Sequence, residues 1–155
     1  MGLKGSRQVS QTGIEVSVSG VAARGGVLSY VPGVAGLAEY SNAAAVSGQL
    51  AKPLGILMDD VEDINYFRSP EFRNRNVVAK GSVVGYITEG DVWTDFVETT
   101  TADGASVGTY APGDTLYLAN DGKVSRLNVL GRRPVVGAAR STIGSDGYIK
   151  IRVEL

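Results

Sequence analysis

The chain closes with the stretch Tyr148-Ile149-Lys150-Ile151-Arg152-Val153-Glu154-Leu155, in which every second side chain is aliphatic. The aliphatic side chains fall on one face of an extended backbone, and the remaining side chains fall on the other. A period of two is what a strand with one buried face requires. The stretch therefore predicts a half-buried β-strand, and it is the clearest strand in the sequence.

A tight turn lies upstream of this strand, at Asn120-Asp121-Gly122. Asn, Asp and Gly tolerate the positive φ angles that hairpin turns need. Leu116 and Leu118 precede the turn and Val124 follows it. The segment therefore predicts a β-hairpin.

Short apolar runs separated by turn residues continue the pattern toward the N-terminus. The run from Leu54 to Met58 follows Pro53 without a polar residue, which predicts a strand buried on both sides. Twenty-one glycines disfavour helices and are normal in proteins built from short strands and turns. The predicted fold class is all-β: a small β-barrel or β-sandwich, tulip-like, of roughly ten strands, with an extended N-terminal arm.

An internal similarity relates two glycine-bounded segments. Gly81 to Val92 matches Gly113 to Val124 in the spacing of both turn glycines and of the valine that follows. The similarity predicts that the first segment is a second hairpin with Gly90 in its turn. Chance similarity between short strands is the alternative.

The N-terminal residues 1–11 are small and polar and show no periodicity. They predict an arm that is disordered alone or ordered against a neighbour, with a frayed end as the alternative. The predicted organisation is an extended arm with the first strands over residues 1–40 and a β-barrel domain over residues 41–155.

Composition argues against several function classes. The chain has no histidine, which removes the commonest general base and metal ligand, and no cysteine, which removes disulfides and thiolate metal sites. Fifteen basic and sixteen acidic residues give a formal charge of -1, without the basic surface of a nucleic-acid or anionic-membrane binder. No stretch approaches the ~18 apolar residues of a membrane span. We therefore expect no nucleic acid, membrane or small-molecule substrate as a partner.

One acidic cluster could in principle carry chemistry. It consists of Asp59, Asp60, Glu62 and Asp63. Paired carboxylates can bind a hard cation such as Ca²⁺ or act in acid–base catalysis, but the spacing is not that of an EF-hand loop. We interpret the cluster as a solvated loop at a strand end and predict no catalytic residue, metal or cofactor. Glu89, Asp91 and Asp95 are interpreted as outward-facing strand residues.

Aromatic residues and arginines interleave in one stretch of the chain. The candidate contact residues are Tyr66, Phe67, Arg68, Phe72 and Arg73, together with Trp93. Such residues are enriched at protein interfaces and can also stack single-stranded nucleic acid. With a net charge near zero, a protein interface is the favoured function, and a plain surface loop is the alternative. Arg132-Arg133 before Pro134 is either a second contact or a polar loop.

The C-terminal strands resemble a known family. A Gly-Asp-x-Leu-Tyr-Leu opening at residues 113–118, an acidic-Gly turn, Val-Val-Gly-Ala-Ala at residues 135–139 and the closing Ile-x-Ile-x-Val-x-Leu strand resemble the capsid decoration proteins, or head cement proteins, of tailed bacteriophages. The resemblance extends from about Pro53 onward. It implies an all-β module that forms a homotrimer on the outer surface of an icosahedral head, binds the major capsid protein and stabilises the shell. The implied location is the virion, after synthesis in the host cytoplasm.

Two other function classes stay open. A carbohydrate or cell-surface binding module on a virion is one, since small β-barrels display aromatic platforms for sugar rings, and Trp93 and the seven tyrosines could supply them. An enzyme is the other, and the absence of histidine and cysteine disfavours it.

Overall fold

The computed structural model describes residues 3–4, 9–18, 20–30, 37–40, 52–62, 77–101, 103–129 and 133–155, with backbone alone for 3–4, 9–18 and 37–40. Strands make up 49% of the chain and helix 4%, which confirms the predicted all-β fold. The strands, numbered in chain order, are β1 Leu3–Lys4, β2 Val9–Val18, β3 Val27–Tyr30, β4 Leu37–Tyr40, β5 Pro53–Leu57, β6 Asp60–Glu62, β7 Val77–Ala79, β8 Val83–Thr94, β9 Thr115–Leu118, β10 Val124–Ser125, β11 Val135–Ala139 and β12 Ile149–Glu154.

Most of these strands form one sheet with the order β10-β9-β11-β12-β8-β2-β4-β3-β5, in which β1 also pairs with β8. The last strand, β5, pairs again with β8 through Ile56 opposite Ile87 and Leu57 opposite Tyr86. The sheet therefore curls back on itself into a nearly closed, barrel-like form. Strands β6 and β7 form a separate parallel pair.

Strand β8 is the centre of this arrangement. It is a single strand of twelve residues that pairs with β1, β2, β5 and β12. The prediction of a second hairpin over Gly81 to Val92 is therefore wrong, because the chain runs straight through Gly90. A glycine between acidic residues is also a signal for a β-bulge, and Gly90 has a φ of 134° inside the strand.

The alternation of side chains along β8 changes phase near Thr88. Gln11 of β2 lies opposite Glu89 and Thr12 lies opposite Ile87, so β8 contains one extra residue between them. A β-bulge absorbs such a residue, so that Ile87 and Val92, five positions apart, lie on the same face. Tyr86 and Ile87 precede the bulge and lie on opposite faces, and both are buried because each face packs against a hydrophobic core.

Strand β8 contributes to two hydrophobic cores, one on each of its faces. The larger core contains Ile87 and Val92 of β8 together with the inward side chains of β9, β11 and β12. The smaller core contains Val84 and Tyr86 with buried residues of β3, β5 and β6. One long strand thereby joins the two halves of the molecule.

The strands that the sequence indicated most clearly are present. Along β12 the buried residues Ile149, Ile151 and Val153 alternate with more exposed ones, as predicted. Asp121, with a φ of 57°, and Gly122 turn the chain between β9 and β10, which confirms the hairpin. Strand β5 is buried along almost its whole length, which confirms Leu54 to Leu57 as an interior strand, whereas Met58, the last residue of the predicted run, lies beyond the strand and is 36% exposed.

Strand β11 lies unusually close to β12. A Cβ atom at Gly137 would sit 1.8 Å from the carbonyl oxygen of Arg152. No side chain fits at that distance, and the neighbouring atom belongs to the backbone rather than to a side chain that could move. The contact between these two strands therefore requires glycine at position 137.

Candidate functional site

The outer side of β8 and β12 carries a group of four neighbouring ion pairs. We define this charged face by six residues: Glu89, Asp91, Trp93, Lys150, Arg152 and Glu154. They lie together because β8 and β12 are antiparallel, with Glu89 opposite Glu154, Asp91 opposite Arg152 and Trp93 opposite Lys150. Side chains opposite one another in such a pair point to the same side of the sheet.

The charges on this face neutralise one another in a chain of ion pairs. Lys150 Nζ lies 3.2 Å from Asp91, and Arg152 lies 3.8 Å from Asp91 and 3.6 Å from Glu89. Arg152 also donates a hydrogen bond to Glu154 at 2.9 Å, which raises the pKa of its guanidinium further. The expectation that Glu89 and Asp91 face outward agrees with this geometry. Because Arg152 contacts three carboxylates and Lys150 shares Asp91 with it, the charged side chains form one connected network.

Trp93 is the one predicted contact residue whose surroundings can be described. It lies on the charged face, next to the Lys150 position on β12, and its side chain is partly buried. The other predicted contact residues, Tyr66, Phe67, Arg68, Phe72 and Arg73, lie outside the described residues.

A second polar arrangement is buried beneath the loops that follow β8 and β10. Arg133 donates two hydrogen bonds to the Glu98 carboxylate, at 2.6 and 3.2 Å, and a third to the Leu127 carbonyl. The Arg133 and Glu98 side chains are only 9% and 8% exposed. The phenol of Tyr110 donates to the Glu98 carbonyl at 2.6 Å. Two N–H groups of the guanidinium thus donate to the two oxygens of a carboxylate that is almost inaccessible to water.

The electrostatics of this network follow from burial and from its partners. Burial alone would raise the pKa of the Glu98 carboxyl, but hydrogen bonds from Arg133 and Ser125 and the charge of Arg133 outweigh it and hold the pKa below its usual range. Burial raises the pKa of the Tyr110 phenol. Glu98 therefore stays ionised and paired, an arrangement suited to fixing loops rather than to accepting a proton from a substrate.

The position of Arg133 corrects one expectation. The sequence left Arg132-Arg133 as either a surface contact or a polar loop, but the Arg133 side chain is buried in an ion pair. Its partner, Glu98, was not singled out in the sequence, since the two residues lie 35 positions apart and no periodicity links them. Arg132 lies outside the described residues.

The acidic cluster near β6 is used for local structure where it is described. Asp60 accepts a hydrogen bond from the Arg24 backbone N–H at 2.9 Å and pairs with its guanidinium at 3.7 Å. Asp59 accepts one from the Gly85 N–H at 3.3 Å. In the described part of the chain, no three acidic residues are grouped in a way that could hold a metal ion. Asp63 lies outside that part.

No protein-family model matches the sequence, and no match was found among curated proteins. No helix within the described ranges is long and apolar enough to cross a bilayer.

Proposed function

We propose that this chain is a virion structural protein that binds the outer surface of an icosahedral phage head and stabilises the mature shell. One observation carries the proposal. The segments that resemble head cement proteins form β9, β11 and β12, which are direct neighbours in the sheet and share the larger core. A resemblance carried by neighbouring strands of one core is stronger support than matches scattered over the fold.

The physical basis of such a function is multivalent binding. An icosahedral shell repeats the same site many times, and a symmetric homotrimer would contact three neighbouring major capsid proteins at once. Weak contacts linked in one particle act at a high effective concentration, so their joint affinity far exceeds that of each alone. No chemical step is needed for this.

The charged face supports the proposal because its side chains are already ordered. Arg152 is held by carboxylates of both strands and Lys150 by Asp91, so binding would cost less side-chain entropy than it would for freely rotating lysines and arginines. Trp93 adds an aromatic surface at one end of the face, the residue type that most often dominates binding energy. We assign the charged face as the surface that meets the major capsid protein.

The direct test is sedimentation with capsids. Expanded shells assembled without this protein, from the phage genome that encodes it, are mixed with increasing amounts of the purified chain and pelleted. We expect saturable binding to expanded shells, weaker binding to unexpanded ones, and a mass of three chains by light scattering. A chain that stays in the supernatant at every concentration contradicts the proposal.

A matched pair of variants tests the assigned surface. Trp93→Ala should weaken co-sedimentation by about tenfold or more if the tryptophan is a central contact. Tyr30→Ala, at a tyrosine on β3 that is 45% exposed, removes a comparable aromatic ring elsewhere and should leave binding unchanged. Equal binding of both variants would remove the charged face from the proposal. Saturable binding on a glycan array would favour the carbohydrate-binding alternative instead.

A further inference from the structure

The two edges of β8 are paired in very different ways. On one edge, six consecutive residues of β12 lie opposite six residues of β8 without a break in register. On the other edge, the register between β2 and β8 shifts three times, between Val9 and Gln11, between Gln11 and Thr12, and between Gly13 and Val16. Each shift leaves a residue unpaired and disrupts the ladder of backbone hydrogen bonds between the two strands.

Along most of its length, β2 pairs with a described strand at only one of its two edges. It pairs with β4 only at Ser17 and Val18. Among the described strands, β8 is the sole partner of β2 from Val9 to Val16. The backbone bonds to β8 therefore carry most of the attachment of this segment.

The segment that joins β2 to the rest of the molecule is exposed. Nothing lies within 4 Å of a Cβ atom built at Gly20, and Val21 is 62% exposed. Ala22 is then held by hydrogen bonds of 3.0 and 2.7 Å with Val61. Gly20 and Val21 therefore offer a place where the backbone can change direction between β2 and the rest of the molecule.

The edge of β8 that β2 covers cannot stay open. Residues 83–90 would expose a row of unpaired N–H and C=O groups, and such an edge binds another strand readily. The strand that fits it is already present in every copy of the chain. Exchange of an identical element through an exposed hinge is a low-cost route to an oligomer.

We propose that β1 and β2 exchange between copies, so that the N-terminal strands of one chain pair with the β8 edge of a second chain. The second copy is the partner, and the β2-facing edge of β8 is the binding surface. This exchange would tie subunits together by backbone hydrogen bonds. It does not depend on binding to a capsid, and its test uses the protein alone.

The absence of cysteine allows a direct experiment. Ser17 of β2 lies opposite Val83 of β8, so two variants of the full chain are made, one with Ser17→Cys and one with Val83→Cys. The two are mixed, unfolded and refolded together, then oxidised. Exchange predicts a reducible species of twice the chain mass that contains one copy of each variant. Neither variant alone should form it to the same extent.

The other edge of β8 provides the matched control. Glu89 lies opposite Glu154, and the two variants Glu89→Cys and Glu154→Cys, mixed in the same way, should give no such dimer. A short bis-maleimide replaces oxidation if the geometry of the first pair prevents a disulfide. The proposal is overturned if the mixed variants stay separate with both reagents while a chain carrying Ser17→Cys and Val83→Cys together links only to itself.

Discussion

The two edges of β8 differ in how much of the molecule holds them. The β12 edge combines an unbroken register with the ion pairs of the charged face, and the residues of β12 that point inward are fully buried in the larger core. The β2 edge has an interrupted register and an exposed hinge. The same kind of backbone hydrogen bond can thus hold one neighbouring strand stably and another only exchangeably. The difference comes from side-chain packing and from the continuity of the register.

The largest loss of stability is expected from a change at Arg133, whose ion pair with Glu98 joins the loops that follow β8 and β10. Arg133→Met removes the partner of Glu98 and leaves a buried carboxylate unpaired, which should lower the free energy of unfolding by about 3–5 kcal/mol. Urea denaturation measures the loss. Replacing both residues, as Glu98→Gln with Arg133→Met, should restore much of it. If the chain with Arg133→Met alone were as stable as the parent, water would have to reach the Glu98 carboxylate.

The close contact between β11 and β12 is the second place where a substitution should lower the stability of the fold. Gly137→Ala places a Cβ atom against the Arg152 backbone, so the strands must separate, at a cost of about 3 kcal/mol. The matched control is Gly20→Ala in the hinge, where the new methyl group meets nothing and stability should change by less than about 0.5 kcal/mol. Thermal unfolding of the two variants separates the outcomes.

Hydrogen exchange would sharpen the comparison without any mutation. Amides of β12 lie between β11 and β8 and should open only with the whole fold, whereas amides of β2 that face β8 should open with the arm alone. We expect exchange from β2 to be roughly a hundredfold faster or more at micromolar concentration. Equal protection of both strands would contradict the distinction between the two edges.

Acid should lower the free energy of unfolding by protonating the Glu98 carboxylate. The pKa of this carboxyl is depressed in the folded chain, so its contribution is complete above the unfolded value of about 4.3 and is lost as the pH falls from there through the folded value. The stability difference between the parent and Glu98→Gln should therefore shrink below about pH 4.3. Denaturation between neutral and acidic pH measures it. A difference that is constant with pH would exclude this linkage.

The ion pairs of the charged face should have the smallest effect. Lys150→Ala removes the 3.2 Å pair with Asp91 at a partly exposed site and should cost about 0.5 kcal/mol, less at high salt. Lys80→Ala, at an exposed turn position, is the control and should change stability little. A loss above about 2 kcal/mol for Lys150→Ala would mean that the face is needed for folding and not only for binding.

The local patterns that predicted the fold correctly are those that need no distant partner. The alternation at Ile149 to Val153 and the Asn120-Asp121-Gly122 turn each specify their own conformation, and both are present, whereas Leu155, which continues the predicted pattern, lies beyond the strand and is 42% exposed. The segment around Gly90 carried an equally strong turn signal, yet it forms part of a continuous strand. A glycine flanked by acidic residues fits a turn or an extended strand alike, and here pairing with β12 and β2 on the two edges of β8 keeps Gly90 within the strand.

The residues of the candidate site were harder to predict from the sequence than the strands were. The charged face depends on the register between β8 and β12, which are separated by the whole of β9 to β11, so the grouping of Asp91 with Lys150 and Arg152 could not be read locally. Glu98 and Arg133 meet for the same reason. Trp93 was found because its residue type is informative alone. The prediction for Tyr66 to Arg73 stays a prediction.

The extra residue at Thr88 has a consequence for how this chain can change over evolutionary time. Loss of that one residue would only restore strict alternation, and Glu89, Asp91 and Trp93 would keep their face, whereas loss of Asp91, where the pairing with β12 is unbroken, would turn Val92 out to water and Trp93 into the hydrophobic interior. Length changes in β8 beyond Glu89 should therefore be removed by selection, and length variation among descendants should collect in exposed connections such as the one around Asp103-Gly104. The same site is where an epitope or a fused domain could be grafted with least harm.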